Sequence, residues 1–352
     1  MSKDYKWKMA DGYPEKNGYK VFSCFACGGG STMGYKRAGF DVIGMNEIDP
    51  KMANAYITNH NPKHAFIEPI QSFKLRDDLP DELFDLDILD GSPPCSSFST
   101  SGVRDRDWGK EKKFKEGQAK QVLDTLFFDF IDLAKRLKPK IVLAENVKGM
   151  LLGEAKQYVR EVYKHFDDAG YYTQHWLLNG ADMGLPQKRE RVFFIALRKD
   201  LSNPFLYFKD MFTEIPKLEL IFNERWIKYK EIKTNRVGKK ITKGDLLLWE
   251  KSISTDKCLK STNIRLFNKK SRFGVKFVDD EKTPNTLTAG DSQIKRDLPN
   301  YIPDSEILLI SSFPMDYNFG KNKIGYICGM SVPPLMIQKI AEQIRIQWLD
   351  KL

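Results

Sequence analysis

The first 200 residues alternate short apolar runs with amphipathic segments, and this alternation limits the possible folds more than any other feature. Apolar runs typical of buried strands occupy residues 19–24, 42–46, 86–89, 141–144 and 192–197. Helical spacing of apolar residues occurs between them, over 31–38, 51–59 and 118–137. Strands that alternate with helices predict an α/β fold, in the form of a doubly wound, mostly parallel sheet.

The pattern changes after residue 199. Periodicity weakens, lysine becomes frequent, and short strand-like pieces occur at 264–267 and 275–278. Helical periodicity returns over 335–349. We therefore predict a larger domain, residues 1–198 plus 325–352, and a smaller irregular, β-rich domain with a hinge, residues 199–324.

The charge is strongly positive and unevenly distributed. The net charge is +10, and residues 201–280 carry 18 Lys or Arg against 10 Asp or Glu. A local basic excess favours a polyanionic partner such as nucleic acid. A solvated basic surface is the alternative that charge alone leaves open.

The cysteines and the apolar runs bear on the compartment. The five cysteines are scattered, which suits a reducing cytosol better than a disulfide framework. Cys24 and Cys27 form a CxxC pair, so a redox pair or half a zinc site is possible, but a strand residue followed by a loop residue is the favoured interpretation. Residues 1–20 lack the apolar core of a secretory signal, and no run reaches the roughly 20 apolar residues of a membrane span. We expect a cytoplasmic protein.

Two reactive side chains follow predicted strands. Cys95 lies on a Pro93–Pro94 turn after the strand at 86–89, and Glu145 directly follows the strand at 141–144. Parallel strands end at one edge of a sheet, where open α/β folds bind their ligands. A thiol and a carboxyl group that face each other there predict covalent catalysis on a ring that is attacked and protonated together. A buried structural cysteine is the alternative.

A glycine-rich turn follows the first strand. Gly28, Gly29 and Gly30 let the backbone approach a ligand, and Glu47, at the end of the next strand, can bind ribose hydroxyls. The dinucleotide fingerprint is absent, since Met33 stands where its third glycine is needed. This disfavours NAD and FAD and suits S-adenosylmethionine, which has a ribose and no pyrophosphate. A purely structural turn is the alternative.

Two further segments are candidates for the site. Arg189 and Arg191, two residues apart before the strand at 192–197, point the same way if they lie on a strand, where they can grip a phosphate or a base carbonyl. A surface charge run is the alternative. The polar segment 96–117 contains three glycines and predicts a lid that closes over the site, with a plain surface loop as the alternative.

In this order, these residues resemble the DNA cytosine-5 methyltransferase family of bacterial or phage type, over nearly the whole chain. The motifs that carry the resemblance run from the cofactor loop to the last cofactor motif. They are Phe25–Gly30, Asn46–Asp49, Pro94–Cys95, Glu145–Val147, Gln187–Arg191, Thr283–Thr288 and Gly329–Pro334.

The resemblance implies an S-adenosylmethionine-dependent enzyme whose smaller domain recognises a site in double-stranded DNA. It implies a flipped cytosine, with Cys95 as nucleophile at C6 and Glu145 as the group at N3. Arg191 holds the cytosine carbonyl or orients Glu145, and Arg189 contacts the backbone nearby. The implied cofactor contacts are Phe25, Gly28, Gly29, Gly30, Glu47, Ile48, Ile70, Pro94, Leu126, Ser331 and Val332.

The chain departs from the family pattern at four positions. Cys27 replaces a usual glycine, Met330 a usual asparagine, Ser96 a frequent glutamine, and Pro69 the acid at the adenine amino group unless Glu68 serves there. The resemblance implies no metal; a monomer is expected, and a cognate restriction endonuclease is a possible partner.

Three other functions were weighed. A tRNA methyltransferase of the same superfamily would have a shorter recognition region than the basic segment of over 80 residues here. A catalytically silent DNA-binding relative would not need Cys95, Glu145 and Arg191. A Rossmann oxidoreductase would need the missing third glycine.

Overall fold

A computed structural model describes residues 4–94, 125–153, 155–210, 213–272, 274–290 and 292–352. The chain divides into two units. The sheet unit comprises Tyr13–Leu178, Glu190–Ile221 and Ile337–Leu352, and the second unit comprises Met1–Gly12, Asn179–Arg189 and Phe222–Met336. The domain boundaries expected near residues 198 and 325 stay a prediction.

Seven strands form the main sheet, in the order β3-β2-β1-β4-β5-β7-β6. β1 pairs in parallel with β2 and β4, and β4 pairs in parallel with β5, whereas β7 runs antiparallel to β5. The strand order therefore reverses between β1 and β4, the place where such sheets bind ligands. The strands are β1 (Lys20–Cys24), β2 (Asp41–Asn46), β3 (His64–Phe66), β4 (Ile88–Gly91), β5 (Ile141–Val147), β6 (Tyr171–Asn179) and β7 (Glu190–Arg198).

Helices connect and cover these strands, as a parallel sheet requires. α2 starts with an Asp49 side chain that accepts a hydrogen bond from the amide of Lys51, followed by a proline, the expected start signal. The predicted α/β class with a mostly parallel sheet is confirmed. The helices are α1 (Gly30–Arg37), α2 (Pro50–His60), α3 (Ile70–Phe73), α4 (Leu126–Leu137), α5 (Ala155–Asp168) and α10 (Pro334–Gln347).

The two faces of the sheet differ in chemistry. Ser23 aligns with Asp90, and Asp90 aligns with Leu143, so these three side chains share one face. Glu145, two residues beyond Leu143, lies on that face too, which we call the polar face. The opposite face is apolar and packs in one core with α3, α4 and α5; its strand residues include Phe22, Leu89, Val142, Ala144, Val192 and Phe194.

The second unit has a core of its own. Strands β10 (Val275–Val278) and β11 (Ser292–Lys295) pair in parallel, and Phe277 and Ile294 pack with residues near two helices. Lys295, the last residue of β11, forms a buried ion pair with Glu306 at 3.1 Å. The helices are α6 (Lys243–Glu250), α7 (Leu259–Phe267), α8 (Asp304–Ser311) and α9 (Ile324–Met330). A short pair, β8 (Leu206–Phe208) with β9 (Glu214–Pro216), belongs to the sheet unit.

One local prediction in this region is wrong. Residues 264–267 were expected to form a strand-like piece, but they end helix α7. Leu259, Thr262 and Asn263 are the buried positions of this helix, at helical spacing. Two of them are polar, so the spacing was hidden from a search for apolar periodicity. The strand expected at 275–278 is β10.

No helix among the described residues is both long and apolar enough to cross a membrane.

Candidate active site

Glu145 and Arg191 form an ion pair across β5 and β7. Because β7 is antiparallel to β5, its first residues pair with the last residues of β5: Val147 with Arg191, and Glu145 with Phe193. Paired residues share a face, so the Arg191 side chain lies beside that of Glu145 on the polar face. Arg191 Nε is 2.8 Å from Glu145 Oε1, and the two side chains are only 14% and 10% exposed. Arg191 thus holds the Glu145 carboxyl group from the neighbouring strand, and the catalytic role expected for Arg191 stays a prediction.

Glu145 was expected just after a strand, and it lies inside one. β5 continues to Val147 because β7 supplies ladder partners for its last three residues. A strand position holds a side chain more rigidly than a loop position does. The reactive carboxyl group therefore has a fixed direction.

The turn that leads to Cys95 is tied to β5. Asn146, directly after Glu145, is buried and donates from Nδ2 to the carbonyl oxygen of Pro93 at 3.1 Å. At Gly91, the end of β4, an added Cβ would lie 2.6 Å from the Phe130 ring, so only glycine allows this packing. Cys95 itself and the expected lid at 96–117 lie outside the described residues. Pro93, two residues before Cys95, is thus held at the end of β5.

The glycine loop between β1 and α1 packs against helix α2. Gly29 has a φ of +75°, and a Cβ there would lie 2.3 Å from His60 Nε2 and 3.1 Å from the Tyr56 ring. Burial, with the charge of Lys36, lowers the pKa of His60 to about 3, so its ring is neutral. The Tyr56 hydroxyl shares a 2.7 Å hydrogen bond with Thr32 Oγ1 of α1. Glycine is thus needed at position 29 both for its conformation and for space.

Glu47 fastens this loop to the end of β2. Its Oε2 accepts from the amide of Cys27 and its Oε1 from the amide of Asp49, both at 2.8 Å. Burial raises the pKa of Glu47, and these amide hydrogen bonds oppose the rise. Each carboxylate oxygen keeps a further acceptor site for a ligand hydroxyl.

The remaining predicted cofactor contacts in the sheet unit differ in exposure. Phe25, Ile48 and Pro94 are half-buried, whereas Ile70 and Leu126 belong to the apolar core. Glu68, the alternative to Pro69 at the adenine position, is paired with Arg76 at 2.9 Å. The contact of these five residues, and of Glu68, with a cofactor stays a prediction. Cys24 is a buried residue of β1 and Cys27 a loop residue, as the favoured interpretation of the CxxC pair expected.

Arg189 has other partners than Arg191. It is 1% exposed, and its guanidinium donates to the backbone oxygens of Leu287 at 2.9 Å, Ser331 at 3.0 Å and Gly329 at 3.3 Å. The premise that both arginines lie on one strand is wrong, because β7 begins at Glu190. The catalytic role of Arg189 stays a prediction.

Gln187 extends the hydrogen-bond network of Arg189 in the second unit, which we call the hub. Its Nε2 donates to the oxygen of Ile310, and its Oε1 accepts from the amide of Leu287, each at 3.0 Å. Gln187 and Arg189 together join the segment 283–288 to the segment 329–334. Ser331 and Val332 are buried there, and Met330 is 46% exposed.

Asp90 is the buried acid of the polar face to which the sequence pattern assigned no role. It is 1% exposed, and it accepts hydrogen bonds from Ser23 Oγ at 2.7 Å and from the Tyr35 hydroxyl at 3.3 Å. Burial raises its pKa to about 7. An acid that follows the apolar run 86–89 directly was the signal that could have identified it.

Nearly the whole chain matches one family model. The model, described as C-5 cytosine-specific DNA methylase, matches residues 19–345.

Individual relatives match over part of their length. The chain is 37% identical over 183 residues to the Type II methyltransferase M.FnuDI of Fusobacterium nucleatum, covering 52% of this chain and 48% of the relative. It is 36% identical over 199 residues to the Type II methyltransferase M.NgoPII of Neisseria gonorrhoeae, covering 56% and 53%. The chain therefore spans about half the length of these relatives.

Solved structures share the fold. A prophage-encoded E. coli protein, described as a candidate DNA modification methyltransferase, superposes with a TM-score of 0.68 at 20% identity, covering 95% of this chain and 100% of that one. DNMT2 of Spodoptera frugiperda superposes with a TM-score of 0.59 at 17% identity, covering 93% and 99%.

Proposed function

This chain belongs to the C-5 cytosine-specific DNA methylase family, and we propose that it transfers a methyl group from S-adenosylmethionine to carbon 5 of a flipped cytosine in duplex DNA. The observation that carries the proposal is the nearly buried Glu145–Arg191 pair on β5 and β7. It lies next to Asn146, which anchors the turn before Cys95. The methyltransferase names of both relatives support the same reaction class.

The proposed chemistry uses two side chains of this chain. The target base must leave the helical stack, because the duplex buries the atoms that react. The Cys95 thiolate then forms a bond to C6, and Glu145 donates a proton or hydrogen bond to N3, which stabilises the charge that moves toward C5. C5 would take the methyl group as the bond between that methyl and the sulfonium sulfur of S-adenosylmethionine breaks, with the bonding pair left on sulfur. A base would then remove the C5 proton, and the electrons of the C5–H bond would re-form the C5–C6 double bond and expel the Cys95 thiolate.

Arg191 and Asn146 prepare this geometry. Arg191 holds the Glu145 carboxyl group from the neighbouring strand, and its Nη1 is itself held by the oxygen of Glu190 at 2.8 Å. Asn146 holds the backbone of Pro93. Carboxyl group and nucleophile turn are therefore both attached to the end of β5.

The sheet edge fits S-adenosylmethionine, which supplies an electrophilic methyl group when bound. The buried Glu47 carboxylate beside the glycine loop keeps acceptor capacity for a ribose hydroxyl. Phe25 offers a half-exposed aromatic ring at the same loop. We propose that Gly28, Gly29, Gly30 and Glu47 hold the cofactor, with Phe25, Ile48, Ile70, Pro94, Leu126, Ser331 and Val332 as its further contacts.

The basic segment supports duplex DNA as the substrate. Lysine and arginine exceed acidic residues by 18 to 10 over residues 201–280. Lysine and arginine bind DNA phosphates without specifying sequence, and this binding weakens as the salt concentration rises. A monomeric state and a cognate restriction endonuclease stay predictions.

A methyl-transfer assay tests the proposal. Purified protein is incubated with tritium-labelled S-adenosylmethionine and either unmodified duplex DNA or unmodified tRNA, at rising salt. We expect label in DNA only, with a rate that falls steeply between low and physiological salt. Label in tRNA, or in neither substrate, contradicts the proposal. Bisulfite sequencing of the labelled DNA then identifies the site.

A cysteine pair separates covalent chemistry from general damage. Cys95→Ser should abolish methyl transfer and leave DNA binding in place. Cys258→Ser is the matched control, because Cys258 lies in the second unit and the described hydrogen-bond partner of its thiol is the Ser261 hydroxyl, at 3.3 Å. Retained turnover in Cys95→Ser rules out the covalent assignment.

A further inference from the structure

Asp90 and Glu145 lie on the same face of neighbouring strands. Asp90 of β4 is in register with Leu143 of β5, and Glu145 is two residues further along β5. One such step is about 7 Å, and neighbouring strands are about 5 Å apart. The two carboxyl groups therefore interact through the protein interior, where water screens charge least.

The Asp90 carboxyl group is held by hydroxyl groups alone among its described partners. Ser23 of β1 donates at 2.7 Å and Tyr35 of α1 at 3.3 Å, and the Ser31 side chain also donates. No lysine or arginine of the described ranges pairs with it. Three hydroxyl donors stabilise a carboxylate without neutralising its charge.

Stability alone does not account for an acid at this position. The neighbouring positions of the strand, Ile88 and Leu89, are apolar and fully buried. A buried carboxylate without a cation is costly compared with an apolar side chain of similar size. The charge itself is therefore the property that needs an explanation.

Asp90 changes its charge near neutral pH. Burial, and to a smaller extent the charge of Glu145, raise the pKa of Asp90 to about 7 against the lowering effect of the hydroxyl donors. Burial raises the pKa of Cys24, Tyr35 and Tyr56, so these groups stay neutral across this range. The described titratable or charged groups that interact with Asp90 or Glu145 are Cys24 on β1, which lies on the apolar face, Tyr35 on α1, Tyr56 on α2 and Arg191 on β7.

We propose that Asp90 is a positioning residue that acts through Glu145. Its negative charge, fixed on the polar face by Ser23 and Tyr35, opposes a second negative charge on Glu145 and thereby favours the form of Glu145 that donates to the base. This inference rests on the proposed methyl transfer. Asp90 touches neither substrate nor cofactor in this scheme; it sets the charge state of the residue that does.

The test compares Asp90→Asn with the wild type across pH. Asparagine keeps an oxygen that accepts from Ser23, but it cannot carry the charge. Single-turnover methyl transfer to unmodified duplex DNA is measured from pH 6 to 8.5. We expect the two proteins to match near pH 6, where Asp90 is protonated, and the variant to be about tenfold slower at pH 8.5, where only the wild type carries the Asp90 charge.

Asp87→Asn is the matched control. Asp87 lies three residues earlier in the chain and is held by Lys140 at 2.8 Å and by the amide of Lys20 at 2.7 Å. Loss of the Asp87 charge should change the rate of methyl transfer by a factor that is the same at every pH. A pH-independent ratio for Asp90→Asn as well, or no change at all, overturns the inference. A wild type that transfers no methyl group at any pH is a different result, the failure of the proposed function.

Ser23→Ala tests the inference even if Asp90→Asn does not fold. Loss of this donor raises the pKa of Asp90, so the charge forms at higher pH. The variant should fall behind the wild type near pH 7 and recover by pH 8.5. A rate ratio that stays level through this range overturns the inference.

Discussion

Arg191 Nε lies 2.8 Å from Glu145 Oε1. The two residues are diagonal neighbours on the antiparallel strands β5 and β7, because Arg191 pairs with Val147, two residues after Glu145. The guanidinium reaches the carboxyl group from the beginning of β7, while the carboxyl group stands near the end of β5. Because both side chains are nearly buried, their interaction is only weakly screened by water. Substitutions at this pair should therefore change the charge and the orientation of the Glu145 carboxyl group directly.

Glu145→Gln should slow the covalent addition step strongly. Glutamine fits the same space but cannot give up a proton to N3, and general acid groups commonly contribute about 100-fold or more. Single-turnover methyl transfer measures the effect. Glu190→Gln is the control, since Glu190 pairs with Lys148 at 2.8 Å on the exposed side of the same strands. A surface pair contributes little, so the control should stay within about twofold of the wild type. Equal rates for Glu145→Gln and the wild type would remove Glu145 from the mechanism.

Arg191→Lys should cost about tenfold in the same assay. Lysine keeps the charge but loses the planar fork that orients a carboxyl group. The loss should largely vanish when Arg191→Lys is added to Glu145→Gln, because residues that act as a unit are not additive. Independent losses in the double variant would show that Arg191 acts on something other than Glu145.

Arg189→Met should destabilise the second unit by about 3 kcal/mol. The substitution leaves the backbone oxygens of Leu287, Gly329 and Ser331 without their buried donor. Urea unfolding measures the change. Arg198→Met is the control, because Arg198 is partly exposed and its pair with Asp200 is local. Similar small losses for both variants would contradict the hub described around Arg189.

Gly29→Ala should weaken binding of S-adenosylmethionine and lower stability more than a positive φ alone explains. The new Cβ would meet His60 Nε2 at 2.3 Å. Gly170→Ala has the same kind of backbone, φ of +89°, with no atom within 4 Å, and should cost only about 1 kcal/mol. Calorimetric titration with S-adenosylmethionine and thermal unfolding separate the two effects. Equal behaviour of both variants would contradict the packing of α2 against the loop.

Asp90→Asn should change how stability depends on pH. The folded pKa of Asp90, about 7, is above the ordinary value near 4, so between these values the folded state binds more protons than the unfolded state. Asp90 therefore lowers the free energy of unfolding as pH rises from 4 to 7, by up to about 4 kcal/mol.

Urea unfolding of wild type and variant at each pH isolates this contribution. His60 has the opposite effect, because its lowered pKa costs stability as pH falls below about 6.5. That effect is common to both proteins and cancels in their difference. The variant should gain on the wild type steadily from pH 4 to 7, and a constant difference would contradict the raised pKa.

The sequence predicted the strand ends of the site well and its side-chain partners poorly. Apolar runs located β1, β2 and β5 within a few residues, because strands buried on both faces need such runs. They also located Glu145, since the run before it is unbroken. They could not show that β5 continues past Glu145, because that extension depends on pairing with β7, more than 40 residues later in the chain.

The partners of Asp90, Gln187 and Arg189 were out of reach for the same reason. Arg189 bonds to residues about 100 and 140 positions away, and no local spacing encodes such contacts. The alternation of side chains along a strand gave a wrong expectation at Arg189, because it assumed that Arg189 lies on a strand, whereas β7 begins one residue later, at Glu190. Asp90 stands beside Ser23 only through the parallel register of β1 and β4.

The reversed direction of β7 has a consequence for how this architecture tolerates change. A parallel strand would deliver its reactive residue from the loop that follows it, so that every insertion there would disturb the chemistry. Here the arginine is delivered at the start of the strand, and the chain leaves β7 at the opposite edge of the sheet. Extra residues added after Arg198 enter the chain at the other end of β7 from Arg191, and should therefore leave the Glu145–Arg191 pair in place.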